Sequence, residues 1–354
     1  MSENQIPIKN IFHMLSYAYE NLRFSKDIET ASEDFENIHD LLGAILVNAV
    51  NSLIKRGFFK EYINKNEDLS TIRGKININE SIKRRTFIYK KLNSSYDEFS
   101  EDIIFNRIIK SSLSKLIRFS ALDDEVKKDL KKSKLFFHNV NDIQLNKQVF
   151  NSLKWNRNNK YYRGIISICE LIYYWNLPDE SSQDDLEFKE FLRDRLYNLF
   201  EKFVLNFYKK KYKELNPSPK NFKFNYDDSF DNSDTDYLPI MKTDVVLENK
   251  ENNKILIIDT KFYKKILQGY NINNKKKLSS GHLYQIKSYV KTYENQSDKE
   301  ISGMLLYADT YNESVEIDFQ YKIDENIYYI KTLKLDQEWK EIENDLKEIA
   351  KLVN

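Results

Sequence analysis

Asp244, Asp259 and Lys261 are the residues of this chain with the clearest chemical potential. They stand in Thr243-Asp244-Val245-Val246-Leu247 and in Ile255-Leu256-Ile257-Ile258-Asp259-Thr260-Lys261. Each aspartate borders a β-branched or aliphatic run of the kind that forms a buried strand. A carboxylate in such a strand is costly unless something neutralises it, and a bound cation is a common compensation. Asp259 and Lys261 are two apart, so their side chains leave the same face of a strand. Two carboxylates and an ammonium gathered in this way suit metal-assisted hydrolysis of a phosphodiester. The same residues also fit two strand-end aspartates and a snorkelling lysine, because a D-x-K triplet is short.

The elements that must position these residues follow from periodicity. Phe188, Leu192, Leu196, Leu199, Phe203 and Phe207 recur at spacings of three and four and predict a helix from Glu187 to about Tyr212. An alternating run, Phe222 to Tyr226, precedes the Asp244 and Asp259 strands. A helix near Gly281 to Tyr293 and an apolar strand, Gly303 to Tyr307, come next. The order α-β-β-β-α-β makes a sheet with helices packed on it. It resembles the core of the PD-(D/E)xK nucleases, which carry their carboxylates on the second and third strands.

Gln285 and Tyr289 are four apart and share one face of the second helix. They resemble the Q-x-x-x-Y element of nucleases related to RecB and lambda exonuclease. There the glutamine orients the site and the tyrosine lies near the DNA backbone; an ordinary amphipathic helix with one buried tyrosine has the same spacing. Glu201 lies roughly opposite the apolar stripe of the first helix, yet among Tyr197, Val204 and Tyr208. A helix apolar on two sides is buried on two sides, so this carboxylate needs a metal or a nearby lysine.

Composition bounds the rest. A chain of 354 residues suits two domains, and 41% hydrophobic with 14% aromatic residues makes it a folding sequence. No apolar stretch is read as approaching the roughly 20 residues of a bilayer span. The polar start carries no signal peptide, so a cytoplasmic location without a membrane is expected. The lone Cys169 excludes an internal disulfide and a cysteine-based zinc site. Net charge is +1, so DNA contact must come from local clusters. Among these, the stretch from Lys264 and Lys265 to Lys277 directly follows the Asp259 strand, where a basic loop grips phosphates beside the scissile one. None of the seven glycines falls in a Walker or Rossmann motif, so nucleotide-driven steps belong to another chain.

The N-terminal half reads as mostly helical, with helices at Ile8 to Leu22, Glu36 to Lys55, Asp102 to Phe119 and Lys160 to Trp175. Two extended, charged segments, Thr71 to Ile82 and Thr86 to Phe99, interrupt them. A proline-bearing acidic break near Pro178 divides the chain into domains 1–178 and 179–354. The extended pair, rich in Arg73, Lys75, Lys83, Arg84 and Arg85, reads as a stalk whose charges meet acidic or phosphate groups of a ring-shaped partner. A solvated β-ribbon packed beside the helices is the other reading.

Taken together, short segments spread from Ile6 to Tyr307 resemble the McrC family, the nuclease subunits of McrBC modification-dependent restriction systems. They include Ile6-Pro7-Ile8-Lys9-Asn10-Ile11, Arg73-Gly74-Lys75-Ile76, and Tyr96-Asp97-Glu98-Phe99-Ser100-Glu101-Asp102 with Asn106-Arg107. Leu199-Phe200-Glu201-Lys202-Phe203-Val204 and Leu238-Pro239-Ile240-Met241-Lys242-Thr243-Asp244 continue the match. The resemblance implies an α+β, two-domain chain: a helical N-terminal domain bearing a β stalk, then a PD-(D/E)xK endonuclease domain. It implies docking in an McrB-like hexameric AAA+ GTPase, which binds GTP and reads double-stranded methylated DNA while this chain cuts. The departure is Thr243, where the generic motif has proline.

On this reading Asp244 and Asp259, with the Thr260 carbonyl, would hold magnesium, and Lys261 would position the attacking water or stabilise charge on the phosphate. Gln285 would orient the site, Glu201 would support a second ion, and Tyr289 would approach DNA. A stand-alone nuclease of the same fold and a non-catalytic GTPase adaptor are the alternatives.

Overall fold

Leu177 and Pro178 mark the break between two units in a computed structural model that describes residues 6–19, 35, 37–175, 184–223, 237–263, 267–268, 277–294, 298–309 and 317–354. One unit is residues 21–177; the other joins residues 1–20 to 178–354. The expected division at 178 therefore misplaces the first helix, α1 (Ile8–Ala18). Its amphipathic face explains why. Asn10 donates to the carbonyls of Leu335 and Gln337 at 2.9 and 2.7 Å, His13 stacks on Trp339, and Tyr17 packs on Phe203 and Phe207.

The unit of residues 21–177 is built on α2 (Ile38–Arg56), whose first amides are capped by the Asn37 side chain. Contrary to the sequence reading, α2 is long and apolar enough for a bilayer span. Leu41, Leu42, Ile45 and Leu46 are nevertheless buried, as in the core helix of a folded domain.

A nine-residue antiparallel ribbon follows, with β1 (Glu61–Leu69), β2 (Lys75–Ile76), α3 (Ile78–Lys83) and β3 (Leu92–Ser100). This corrects the two expected extended segments. Residues 78–83 are helical, Thr86–Tyr89 form a 3-10 turn, and β3 pairs along its whole length with β1, meeting the expected first segment only at Lys75 and Ile76. With little apolar burial available, polar contacts hold the ribbon's far end. Asn77 donates to Asn93 Oδ1 and Ser95 Oγ, Asn93 donates to Asp68, and the Ser81 hydroxyl accepts from the Asn93 amide. Gly74 is required here: its φ is +67° and a Cβ would lie 2.4 Å from the Ser95 carbonyl oxygen.

Helices α4 (Ile104–Ile117), α5 (Asp124–Leu135) and α6 (Arg163–Trp175) complete this unit. At the ribbon's base, the buried Asn106 side chain bonds the carbonyls of Phe59 and Glu101 and the Tyr162 hydroxyl. Asp102 takes a two-pronged contact from Arg107, which holds its carboxyl down to about 2.

The other unit centres on a five-stranded mixed sheet. The long helix α7 (Asp184–Lys211) leads to β4 (Val245–Asn249), β5 (Lys254–Lys261), α8 (Ser280–Glu294) and β6 (Glu300–Asp309). Beyond the predicted elements come β7 (Asp318–Ile323), β8 (Asn326–Lys334) and α9 (Trp339–Lys351). The order is β7-β8-β6-β5-β4, with β5 parallel to β6, β6 parallel to β8, and both edge pairs antiparallel. Of the alternating run at 222–226, Asn221–Phe222 pairs with Met241–Lys242 outside this sheet, and 224–226 lie outside the described residues.

Strand β5 is buried along nearly all its length, as its unbroken aliphatic run requires. Ile255 and Ile257 share one face with Leu305 and Tyr307 of β6 and with Ile286, Tyr289 and Val290 of α8. Gly303 lets α8 lie close on β6, since a Cβ there would meet Ile286 and Val290 at 2.8 and 2.9 Å. Gly303→Ala is expected to cost about 1–3 kcal/mol by overpacking and to lower the thermal midpoint measured by calorimetry. An unchanged midpoint would show that α8 shifts without penalty.

Candidate active site

The register of β4 against β5 pairs Val245 with Ile258, which brings Asp244, just before β4, to the end of β5 that carries Asp259 and Thr260. Both aspartates are buried, Asp259 to 1% exposure, and Lys261 joins them at 5%. Lys261 Nζ lies 2.6 Å from Asp259 Oδ2 and donates to Gln285 Oε1 at 3.0 Å. Gln285 Nε2 donates to the Tyr289 hydroxyl at 2.8 Å, which in turn donates to the Lys242 carbonyl at 2.9 Å. That carbonyl is two residues from Asp244, whose Oδ2 accepts from the Thr260 amide and hydroxyl at 2.7 and 2.6 Å. The hydrogen bonds form a closed circuit through β5, α8 and the approach to β4.

The sequence reading thus brought together Asp244, Asp259, Lys261 and Gln285. Tyr289 needs a correction. It is 6% exposed and its hydroxyl is engaged by Gln285 and Lys242, so here it is a strut beneath Gln285 and does not present its hydroxyl to solvent, where DNA was expected. Helical spacing puts residues four apart on one face, and here that face is the core side. Thr260 acts visibly through its amide and hydroxyl, orienting Asp244. Thr243, standing where proline is generic, is fully buried and exchanges hydrogen bonds with the Lys220 backbone, fixing the entry to β4.

Electrostatics mark the site as strained for charge. Burial pushes the Asp259 carboxyl up to about 7; Lys261 pulls the other way, and Asp244 adds to the rise. Burial and then Asp244 also raise Glu201, which reaches the site from α7. Tyr197, one turn before Glu201, places its hydroxyl 3.5 Å from Asp244 Oδ2 and is raised by burial and the same carboxylates. Neither Tyr197 nor the Thr260 contacts had any sequence signal beyond proximity to Glu201 and Asp259.

The donor set fits a hard cation. Asp244 and Asp259 are buried together, with Asp259 Oδ2 sealed from solvent against the Lys261 ammonium, and such a carboxylate pair suits an ion that keeps water and phosphate in its remaining positions. Among the described residues no group of three Asp, Glu, His or Cys side chains is close enough to enclose a metal. Glu201 is a charge felt at the site through Asp244. Lys264 and Lys265 lie outside the described residues.

Residues 2–308 match a protein family described as the McrBC 5-methylcytosine restriction system component. The chain belongs to that family. The resemblance carried by the short motifs therefore holds over most of its length. A relative from Escherichia coli strain K12, the type IV methyl-directed restriction enzyme EcoKMcrBC, is 28% identical over 351 residues, covering 99% of this chain and 98% of that protein. A refined half-complex from a tetradecameric assembly of Thermococcus gammatolerans McrB AAA+ hexamers with bound McrC is 18% identical. The match covers 98% of this chain and 76% of that one, with a TM-score of 0.49. The Thermococcus gammatolerans McrBC complex is 21% identical over 55% of this chain and 58% of that one, with a TM-score of 0.39.

The basic residues expected to meet a partner are exposed on the ribbon of this McrBC family member. Arg73 lies over the Tyr96 ring, 4.1 Å from its centroid, beside a cleft of about 530 Å³ that Lys75 also lines. Lys83 ends α3, Arg84 pairs with Glu80, and Arg85 opens the 3-10 turn.

Proposed function

We propose that this chain is the magnesium-dependent DNA endonuclease subunit of a 5-methylcytosine-dependent restriction complex. Its sheet unit is read as a PD-(D/E)xK domain, and its ribbon docks on and stimulates an McrB-like hexameric AAA+ GTPase. The observation that carries the reading is the convergence of Asp244, Asp259 and Lys261, bound into one circuit with Gln285.

Asp244 and Asp259, helped by the Thr260 carbonyl, are the residues to hold magnesium. Bound there, magnesium supplies polarisation of a phosphoryl oxygen and a lowered pKa for the attacking water. Thr260 fixes one oxygen of Asp244, so the other is presented in a set direction. Gln285 holds the Lys261 ammonium in place, where it stabilises charge developing on the phosphate. Tyr289 locks Gln285 and the strand entering Asp244 into a single geometry.

Asp259 gives this reading a pH test. Its folded pKa of about 7 exceeds the ordinary carboxylate value near 3.9, so the metal-free fold binds a proton that the unfolded chain releases. The stability this adds at low pH is lost as pH rises through about 4 to 7. Cation binding must displace the same proton. The rise in thermal midpoint on adding magnesium is therefore expected to be larger near pH 8 than near pH 5, and to vanish in Asp259→Asn. A magnesium effect that ignores pH would remove Asp259 from the ligand set.

The direct test of function mixes the purified chain with an McrB-like AAA+ GTPase, methylated duplex DNA, magnesium and GTP. Cleavage that requires all components supports the proposal. Cleavage with magnesium alone would make the chain a stand-alone nuclease, and no cleavage in any mixture would make it an adaptor.

A further inference from the structure

His282 is absent from the circuit described above, yet it stands on the same stripe of α8. His282, Gln285 and Tyr289 are spaced i, i+3 and i+7, so all three line one helical face. His282 Nδ1 is 2.8 Å from the hydroxyl of Tyr307, and its ring packs 4.8 Å from that of Tyr263. Tyr307 is fully buried on β6, directly paired in register with Lys261 on β5. The histidine is thus anchored beside the ammonium of the site, one helical turn before the glutamine that holds it.

The tautomer follows from where the tyrosine proton can go. Among the described residues the Tyr307 hydroxyl has no hydrogen-bond partner except His282. A buried donor without an acceptor is rarer and costlier than an acceptor with a spare lone pair, so the hydroxyl donates to Nδ1. The ring proton then sits on Nε2. That nitrogen has no partner among the described residues and is not sealed from solvent. Burial, with Lys261 adding to it, also lowers the basicity of the ring to about 4, which keeps it neutral.

We propose that His282 is a DNA-contacting residue whose Nε2–H donates to a backbone phosphate flanking the one that is cut, with Tyr307 as the positioning residue that sets its tautomer. A phosphate is the fitting acceptor because the exposed atom is a donor only, lies beside Lys261, and belongs to the first turn of a helix, where the backbone dipole favours an anion. The turn between His282 and Gln285 spans about 4.5 Å along the axis, which separates this contact from the phosphate served by Lys261. The proposal rests on the nuclease reading, so its test uses binding and leaves cleavage as the readout of that reading.

The experiment measures the affinity of the full chain for a DNA duplex by fluorescence anisotropy over a range of salt, with calcium in place of magnesium. His282→Ala is expected to weaken binding about ten-fold, the worth of one hydrogen bond to a charged acceptor. The slope of affinity against salt should stay unchanged, because no charge is removed. His282→Gln keeps a donor at the Nε2 position and should restore most of the loss. Tyr307→Phe should weaken binding less than His282→Ala, and add nothing in the His282→Ala background. Equal affinities for wild type and His282→Ala would overturn the proposal, as would equal losses in the alanine and glutamine variants or a wild-type chain that fails to hold the duplex. A wild-type chain that binds with these effects but never cuts, even with its partner, magnesium and GTP, would refute the nuclease reading and leave this contact standing.

Discussion

Replacing Asp244 or Lys261 with alanine is expected to lower the proposed DNA cleavage by the assembled complex roughly a thousand-fold or more, while partner binding and GTPase stimulation persist. The geometry separates the effects of the two substitutions. Asp244→Ala removes one of the two buried carboxylates and leaves the Thr260 amide and hydroxyl without their acceptor. Lys261→Ala leaves Asp259 as a buried carboxylate with no adjacent cation, so it also favours the protonated acid. Lys261→Met keeps the volume and serves as the control for packing. Cleavage is read on methylated duplex and GTP hydrolysis in the same mixture. Loss of GTPase stimulation in a well-folded Asp244→Ala protein would show that cutting and stimulation are not divided between the two units.

The second large effect is expected at the ribbon. Arg84→Glu combined with Arg85→Glu should weaken the complex with the GTPase about ten- to a hundred-fold and reduce stimulated hydrolysis, leaving the isolated chain folded. Arg84 is half exposed and pairs with Glu80, and Arg85 has a φ of 51°, so both charges sit on a turn that the ribbon's network fixes from below. Around them Ile78, Ile82, Phe87, Ile88 and Tyr89 are each more than half exposed, an apolar patch with a basic rim. Size exclusion with light scattering at moderate salt measures the complex. An unchanged complex moves the docking surface elsewhere.

How much of this was legible in the sequence depended on which force built each part. Strand β5 carries an unbroken aliphatic run, so its place inside the sheet, between β6 and β4, and the facing of Asp259 and Lys261, could be read directly. Gln285 could be read because helical spacing ties it to a buried stripe. Tyr289 was found, but its contacts with Gln285 and the Lys242 carbonyl were not, since spacing gives a shared face but not what that face touches. Thr260, Tyr197 and His282 act through contacts set by strand register and by the close approach of α8 at Gly303, which leave no local pattern. The ribbon was half legible. The sequence of β1, Glu61 to Leu69, is mostly polar and pairs through its backbone, so no hydrophobic alternation announces it. Helix α5 was missed for a related reason: among its lysines, Leu130 and Ser133 are the buried residues.

The docking of α1 bears on the order in which the chain acquires its structure during synthesis. This helix is made well before its partners Phe203, Leu335 and Trp339, all of which follow residues 21–177 in the chain. Residues 21–177, by contrast, form a continuous piece whose contacts close among themselves. That piece is free to fold as soon as Leu177 emerges, while the helix made before it waits unpaired for the C-terminal strands. Long sequence separation makes such closure slow. The ribbon-bearing unit is therefore made in full before the sheet unit that carries Asp244 and Asp259, so the two proposed roles, docking and cutting, become available in that order.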